Sequence, residues 1–518
     1  MAQQVEMRTE KAKLHRVMRR WDIALFSACA IVALDAVAFT TAYGAGEAVT
    51  WLAITLVLFF VPYGLLNAEV ASAFPAEGGL YVWCRMAFGR FGGGVGSVMY
   101  VLGQAIWVGG TSAAVTIGAI NTFFFPDNPL NTTWSIIVGL VLTWICVGLS
   151  VIELKYGKWV GNVGTLLKTL LVIVFGIVVV AFLIKSGLPS GLAPASSYAP
   201  SSAGFLAIVG VLVFLWVGFE LPGSASEEMV DPQKDVPKAI LSSGFITAAL
   251  YAVVLGGMLL VVPLEDLTAA AGFSDAYDIA AGGVLGSAAD AVSYVIGVAI
   301  ILTYVLTAAV WVQGPARMLS VAALDGSSPR ALGRYGKQGT PVNACILIGL
   351  VGSAMCIVIF EATSGSLSAF IGVMIALTTS MFVFVYLMLI AAIVRLRYTQ
   401  PDVRRPYVVP GGKAGLWICA ILAEFFCILT VVTLLWPGLV NNILGQSYSI
   451  VDNWGLSRAR FEVYSLGSFV VMLLIGVVFW AIGRSQAGDV SDDAVIEGVV
   501  EGIAQETPSA SPPLGADV

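Results

Sequence analysis

The sequence predicts an all-α polytopic membrane protein with about 12 transmembrane helices, and three observations carry that prediction. The chain of 518 residues is 58% hydrophobic and only 11% charged, against roughly 25% charged residues in a soluble domain. Apolar runs such as 166–184 and 461–482 are long enough to cross ~30 Å of hydrocarbon as helices. Mean hydropathy is +0.91. Disorder, coiled coil, collagen and a disulfide-stapled secreted fold are excluded by the same composition.

Taken in order, the predicted spans are 22–43, 50–73, 92–124, 134–152, 159–184 and 205–227. The second half follows with 239–262, 289–322, 342–360, 367–394, 415–436 and 461–482. Three regions result: a cytoplasmic N-terminal segment 1–21, a transmembrane domain 22–483, and a disordered acidic cytoplasmic tail 484–518. No cleavable signal peptide is expected, because the polar, basic start leads straight into a full-length span. The tail holds seven acids and almost no aromatics, which is why disorder is expected there.

Orientation follows from the basic residues. Twenty-two of the 26 fall in the N-terminal segment, in alternate loops or at Arg484, and only Lys185, Arg458 and Arg460 fall on the other side. Both termini are therefore expected in the cytoplasm, at a cell membrane. Asn131-Thr132-Thr133 is a sequon on the outer side, meaningful only in a eukaryotic secretory pathway. The seven cysteines lack C-x-x-C spacing and read as small apolar packing, so neither a metal nor a cofactor is expected. His15, the single histidine, lies in the N-terminal segment and reads as solvated. There is no P-loop to support ATP-driven pumping, and no nucleotide or nucleic-acid motif.

Ionised side chains inside a bilayer cost several kcal/mol and need a partner or a wet cavity. Asp35, Lys168 and Glu220 fall within predicted spans, and Glu424 is a weaker case. Lys168 lies about 15 Å into its helix at ~1.5 Å per residue. Two readings stand for it: a structural donor to a carboxylate or helix-end carbonyls, or a coupling cation that replaces Na⁺ or carries a proton. Glu220 is beside Gly218, Pro222 and Gly223, which predict an interrupted helix. Freed backbone groups in lipid must be satisfied by protein, water or ligand, so the interruption is read as marking a cavity, with a simple proline kink in a packed bundle as the alternative. Around Asp35 there is neither Gly nor Pro, and the residues themselves show no break. Its carboxylate could bind a substrate ammonium, pair with Lys168, or donate when protonated. Glu69, Glu153, Glu227, Glu228 and Arg317 fall near cytoplasmic ends, where snorkelling or loop pairing accounts for them.

Four stretches resemble the amino acid–polyamine–organocation permeases. They are 74–83 (FPAEGGLYVW); Gly218-Phe219-Glu220 with 227–240 (EEMVDPQKDVPKAI); Arg317-Met318-Leu319 with Asp325-Gly326 and Thr340-Pro341; and 401–410 (PDVRRPYVVP). The resemblance implies an inverted repeat, spans one to five against six to ten, plus two C-terminal helices. It implies that spans one and six unwind at mid-membrane and hold an amino acid by its carboxylate and ammonium. It places Phe214 near a substrate-stacking aromatic position and Lys168 at the lysine that stands in for sodium. One departure is plain. Where many members carry a Gly-Ser-Gly turn, this chain has Ala33-Leu34-Asp35. A carboxylate there repels a carboxylate and favours an ammonium. Members resembling glutamate–aminobutyrate exchangers also lack the glycine turn.

The expected activity is secondary transport of an amino acid, proton-coupled or exchanging, by alternating access around a midplane site. A polyamine or organic-amine permease using Asp35 is the alternative. Expected substrate-binding residues are Ala33, Leu34, Asp35, Phe214, Gly218, Phe219 and Glu220, with Lys168 and Glu220 coupling; no catalytic role is expected. Lys168 is expected to brace span one against span eight. A channel ranks lower because intramembrane polar groups are few, and a nutrient sensor because the tails are short.

Overall fold

Twelve hydrophobic runs do not become twelve uniform rods. Among the described residues of the computed structural model, ten helices are long and apolar enough to cross a membrane. Two further apolar helices, Trp21–Ile31 and Ser202–Phe214, are too short to do so. At ~1.5 Å per residue each reaches only about 20 Å or less. They are the leading parts of predicted spans one and six, and each stops at an interruption. The described residues are 20–76, 78–151, 154–189, 194–223, 229, 231–263, 266, 272–286, 289–336, 339–363, 367–451 and 456–487. Among these the regular elements are helices.

Span one is Arg20–Ile31 followed, after Val32 and Ala33, by Leu34–Thr55. The loop predicted between spans one and two is absent. The chain instead turns inside the helix at Ala45, a non-glycine residue at φ 43° and ψ −128°, flanked by Gly44 and Gly46. A π-helical turn, Leu56–Phe60, then leads into Val61–Ala73. Span three begins twelve residues before its predicted start, as Leu80–Trp107, bends at Gly89, passes a π turn at Val108–Ser112 and ends as Ala113–Phe124. The fourth and fifth are Thr132–Ser150 and Leu154–Ser186. Asn131 caps the fourth by accepting from the Trp134 amide at 3.0 Å.

After Phe214 no helix of three turns or more resumes among the described residues until Pro232–Val261, the seventh span. Gly272–Leu285 is a helix the hydropathy pattern did not separate, because at 14 residues it is too short to register as a span. Its Phe273 and Tyr277 rings pack on Phe175 of span five. The remainder runs Ala289–Leu324, Val342–Ala362, Leu367–Thr399 and Gly412–Leu435, with Arg458–Ala487 last. This final helix extends past the predicted start of the tail at 484. Residues 1–19 and 488–518, most of the two predicted terminal regions, lie outside the described residues, as do Glu77, Glu153, Glu227 and Glu228.

Span three is the central post: its most apolar window is wholly buried. It touches spans eight, nine, ten and twelve. Small residues allow the approach, since a Cβ on Gly109 would lie 2.1 Å from the Gly352 carbonyl oxygen of span nine. At the end of the bundle where the basic loops gather, two buried carboxylates tie helices together. Asp325 accepts from Arg85 at 2.8 Å, from Arg90 at 3.3 Å and from Tyr81. Glu69, only 2% exposed, accepts from Arg397, from the Val409 amide at 2.8 Å, and faces Arg405 at 3.5 Å. Loop pairing, rather than snorkelling, accounts for Glu69. These clusters draw on the family-like stretches 74–83, Asp325-Gly326 and 401–410.

Candidate functional site

The first interruption is made by partners, not by its own residues. Ending a helix at Ile31 strands its last carbonyls in a place without bulk water. Lys168 of span five, 2% exposed, donates from Nζ to the Cys29 carbonyl at 2.9 Å and to the Val32 carbonyl at 2.5 Å. Trp311 of span eight donates its indole N–H to the Ala30 carbonyl at 2.8 Å. Tyr251 of span seven donates to the Ile31 carbonyl at 2.7 Å and accepts from the Ala33 amide at 3.0 Å. Ala33 itself is at φ −100° and ψ 89°, and the helix restarts at Leu34. First-turn amides there have no intrahelical acceptor and carry the positive end of the helix dipole.

In the second interruption the sequence does more of the work. The helix ends at Phe214, and Gly218 adopts φ +111°, a conformation that L side chains rarely adopt. A Cβ there would also meet the Trp311 ring at 3.0 Å. Short local bonds hold the segment, among them Leu221 N to Gly218 O at 3.1 Å and Gly223 N to Glu220 O at 2.9 Å. The Gly218 amide donates to the Tyr386 hydroxyl of span ten at 3.1 Å. One atom joins the two interruptions: the Tyr251 hydroxyl also reaches the Leu215 carbonyl at 3.1 Å.

Glu220 lies inside a cage of tyrosines. Tyr63 of span two donates at 3.0 Å, Tyr386 at 2.8 Å to each carboxyl oxygen, and Tyr100 of span three also donates. Three hydroxyls donating into one carboxyl group is the arrangement an acceptor-only carboxylate requires. A protonated acid would return a donor and force one of these bonds to reverse. The site thus contains a group whose proton count and hydrogen-bond pattern are tied together.

Between the interruptions is a narrow cavity of about 10 Å³, room for about one water. Ala33, Phe214, Gln104, Trp107, Trp311 and Phe382 are among its walls. Of the expected site residues, Ala33 and Phe214 therefore line it. Gly218 forms the second interruption behind it, against Trp311. Leu34 is 1% exposed and begins the restarted helix without reaching the cavity wall. Phe219 packs on Phe60 at 4.5 Å, away from the cavity. Asp35 lies in the first turn of the restarted helix, and its side chain lies outside the described residues. Lys168 bonds span one at the Cys29 and Val32 carbonyls, and span eight reaches span one through Trp311.

Sequence reasoning missed Tyr63, Tyr100, Tyr251, Tyr386, Gln104 and Trp311. A signal existed: each is a hydrogen-bonding side chain in the middle of an apolar run, and such groups need partners in lipid. Glu424 stays apart from the site, on span eleven beside the exposed Ile421 and Phe425.

Two half-crossing helices that end opposite each other, around a narrow cavity in a bundle of long spans, are the construction of a multi-pass membrane carrier. The chain belongs to the amino acid permease family, whose model matches residues 20–451. An uncharacterized transporter of Legionella pneumophila is 28% identical over 423 residues, covering 81% of this chain and 87% of the relative. A Lactococcus lactis protein named "probable agmatine/putrescine antiporter" is 26% identical, covering 79% and 87%. A branched-chain amino acid permease of Bacillus subtilis is 24% identical, covering 87% and 95%.

Proposed function

We propose that this protein is a secondary active transporter that carries an amino acid across the cell membrane by alternating access around the cavity between the two interruptions. The single observation that carries this reading is the Tyr251 hydroxyl, which bonds backbone groups of both interrupted helices at the cavity. First-turn amides at Leu34 and beyond offer donors to a substrate carboxylate, and free carbonyls of the second interruption offer acceptors to its ammonium. Because the cavity has room for only about one water, a substrate fits only when the helices around it separate.

Ala33, Leu34, Asp35, Phe214, Gly218, Phe219 and Glu220 form the substrate-binding region in this reading. Lys168 holds the first interruption open as a fixed cation, and Glu220 gates transport through its tyrosine cage, so that a proton or a counter-substrate drives the cycle. The basic end faces the cytoplasm, with both terminal segments there and the 22–483 region in the bilayer. A second reading, transport of a polyamine or another organic amine, is supported by Asp35 beside the first interruption and by the name of the Lactococcus relative.

Purified protein in liposomes preloaded with unlabelled substrate tests both. Transient accumulation of a labelled amino acid by counterflow supports the first reading. Counterflow of putrescine that neutral amino acids do not inhibit replaces it with the second. Steady leak with neither counterflow nor saturation would reject a carrier.

A further inference from the structure

The cavity walls contain polar groups without a hydrogen-bond partner among the described residues. Gln104 and Trp107 stand three residues apart on span three, on one face of the helix. Gln104 is 0% exposed and Trp107 3%. Both carboxamide atoms of Gln104 and the indole N–H of Trp107 lack a hydrogen-bond partner among the described residues. Leaving a buried polar group unmade typically costs ~1–3 kcal/mol. The third polar side chain of the lining is satisfied: the Trp311 indole donates to the Ala30 carbonyl at 2.8 Å. Within the lining, the unmade bonds thus belong to two residues of span three.

We infer that Gln104 and Trp107 form a subsite for the far end of the substrate, selecting a neutral oxygen-bearing group, a carboxamide or a hydroxyl. This rests on the transport reading above. The hydrogen-bond inventory decides the class: a carboxamide offers two N–H donors and one oxygen acceptor, and an indole adds one donor. Three donors against one acceptor suit a group rich in oxygen lone pairs. An ammonium or guanidinium carries donors only, and would find one acceptor while facing three donors. A plain hydrocarbon would fill the space but leave all four positions unmade. A carboxylate would match the donors, yet the lining residues are all uncharged, and burying an unpaired charge is far costlier than burying a neutral oxygen.

The test compares L-asparagine with its hydrocarbon isostere L-leucine, L-serine with L-alanine, and putrescine, as initial uptake into proteoliposomes. Wild type is expected to favour asparagine over leucine in kcat/KM on the order of a hundredfold, because a site built to hydrogen-bond rejects an analogue that cannot reply. Gln104→Leu is expected to lower asparagine uptake and raise leucine uptake, and that gain shows that the variant folds. Gln104→Glu, an acceptor-only replacement, is expected to gain putrescine uptake, and Trp107→Phe to narrow the asparagine preference by a smaller factor. Equal handling of asparagine and leucine by wild type, or an equal fall for both in Gln104→Leu, overturns the inference while leaving the carrier intact. Failure of wild type to move any of the five compounds counts instead against the transport reading, and the inference falls with it.

Discussion

The two interruptions reach one geometry by opposite routes. Around Gly218 the chain carries its own instructions: glycine supplies the positive φ, and Pro222 and Gly223 keep the helix from closing. At Val32 and Ala33 nothing local opposes a helix, since alanine is the best helix former of all. There the helix ends because an ammonium, an indole and a phenol from three other spans take its carbonyls. The lesson is that a break in a membrane helix is an accounting matter. It forms wherever donors and acceptors for the freed backbone are supplied, whether by the chain itself or by neighbours.

The comparison can be broken from either side. The largest effect is expected at Lys168→Ala, which leaves the Cys29 and Val32 carbonyls short of a donor at ~1–3 kcal/mol each. Initial uptake should fall at least about a hundredfold at that cost, with the protein still inserted in the membrane; undiminished uptake would mean that the first break does not depend on its partners. Next comes Gly218→Ala. A side chain at positive φ costs about 1–2 kcal/mol, and its Cβ presses on Trp311 at 3.0 Å. Transport should drop roughly tenfold or more, and a thermal melt of the purified protein should fall with it.

Tyr251→Phe sharpens the contrast, because it keeps the ring and removes only the hydroxyl shared by both breaks. A loss of about tenfold in kcat/KM is expected, in line with one to two buried hydrogen bonds, with little change in the amount of folded protein. If the loss appears only as lower yield, the hydroxyl is structural and does not link the breaks. Glu220→Gln should flatten the pH dependence of uptake, since the cage then holds no carboxyl group to take up and release a proton; an unaltered pH profile removes Glu220 from coupling. Ala33→Gly should have the smallest effect, at most ~1 kcal/mol from propensity, because the first break is already made by its partners.

Much of the architecture was legible before any coordinates. Long apolar runs marked the membrane-crossing regions because a membrane helix must satisfy its own backbone and be about 20 residues long, although among the described residues ten helices, not twelve, are long and apolar enough to cross. Glu220 and the second break were readable from Gly218, Pro222 and Gly223. The first break was indicated by family resemblance alone, since Ala-Leu-Asp describes a helix by itself. Lys168 was conspicuous as a charge, yet its two readings could not be separated until the carbonyls it serves were seen. The tyrosine cage escaped notice for a different reason: Tyr63, Tyr100 and Tyr386 are far apart in sequence and look like ordinary aromatic members of apolar runs. Convergence on one carboxylate is a property of the packing.

The sequence alone determined that this chain crosses a membrane many times, and which charges within the spans needed explaining. Both follow from transfer free energies, which belong to each residue and its near neighbours. Only the tertiary structure decided where the first helix ends, which hydroxyls surround Glu220, and that one phenol joins both breaks. Those are pairings between atoms hundreds of residues apart, and a hydrogen bond is set by distance and direction in space, which no local pattern encodes.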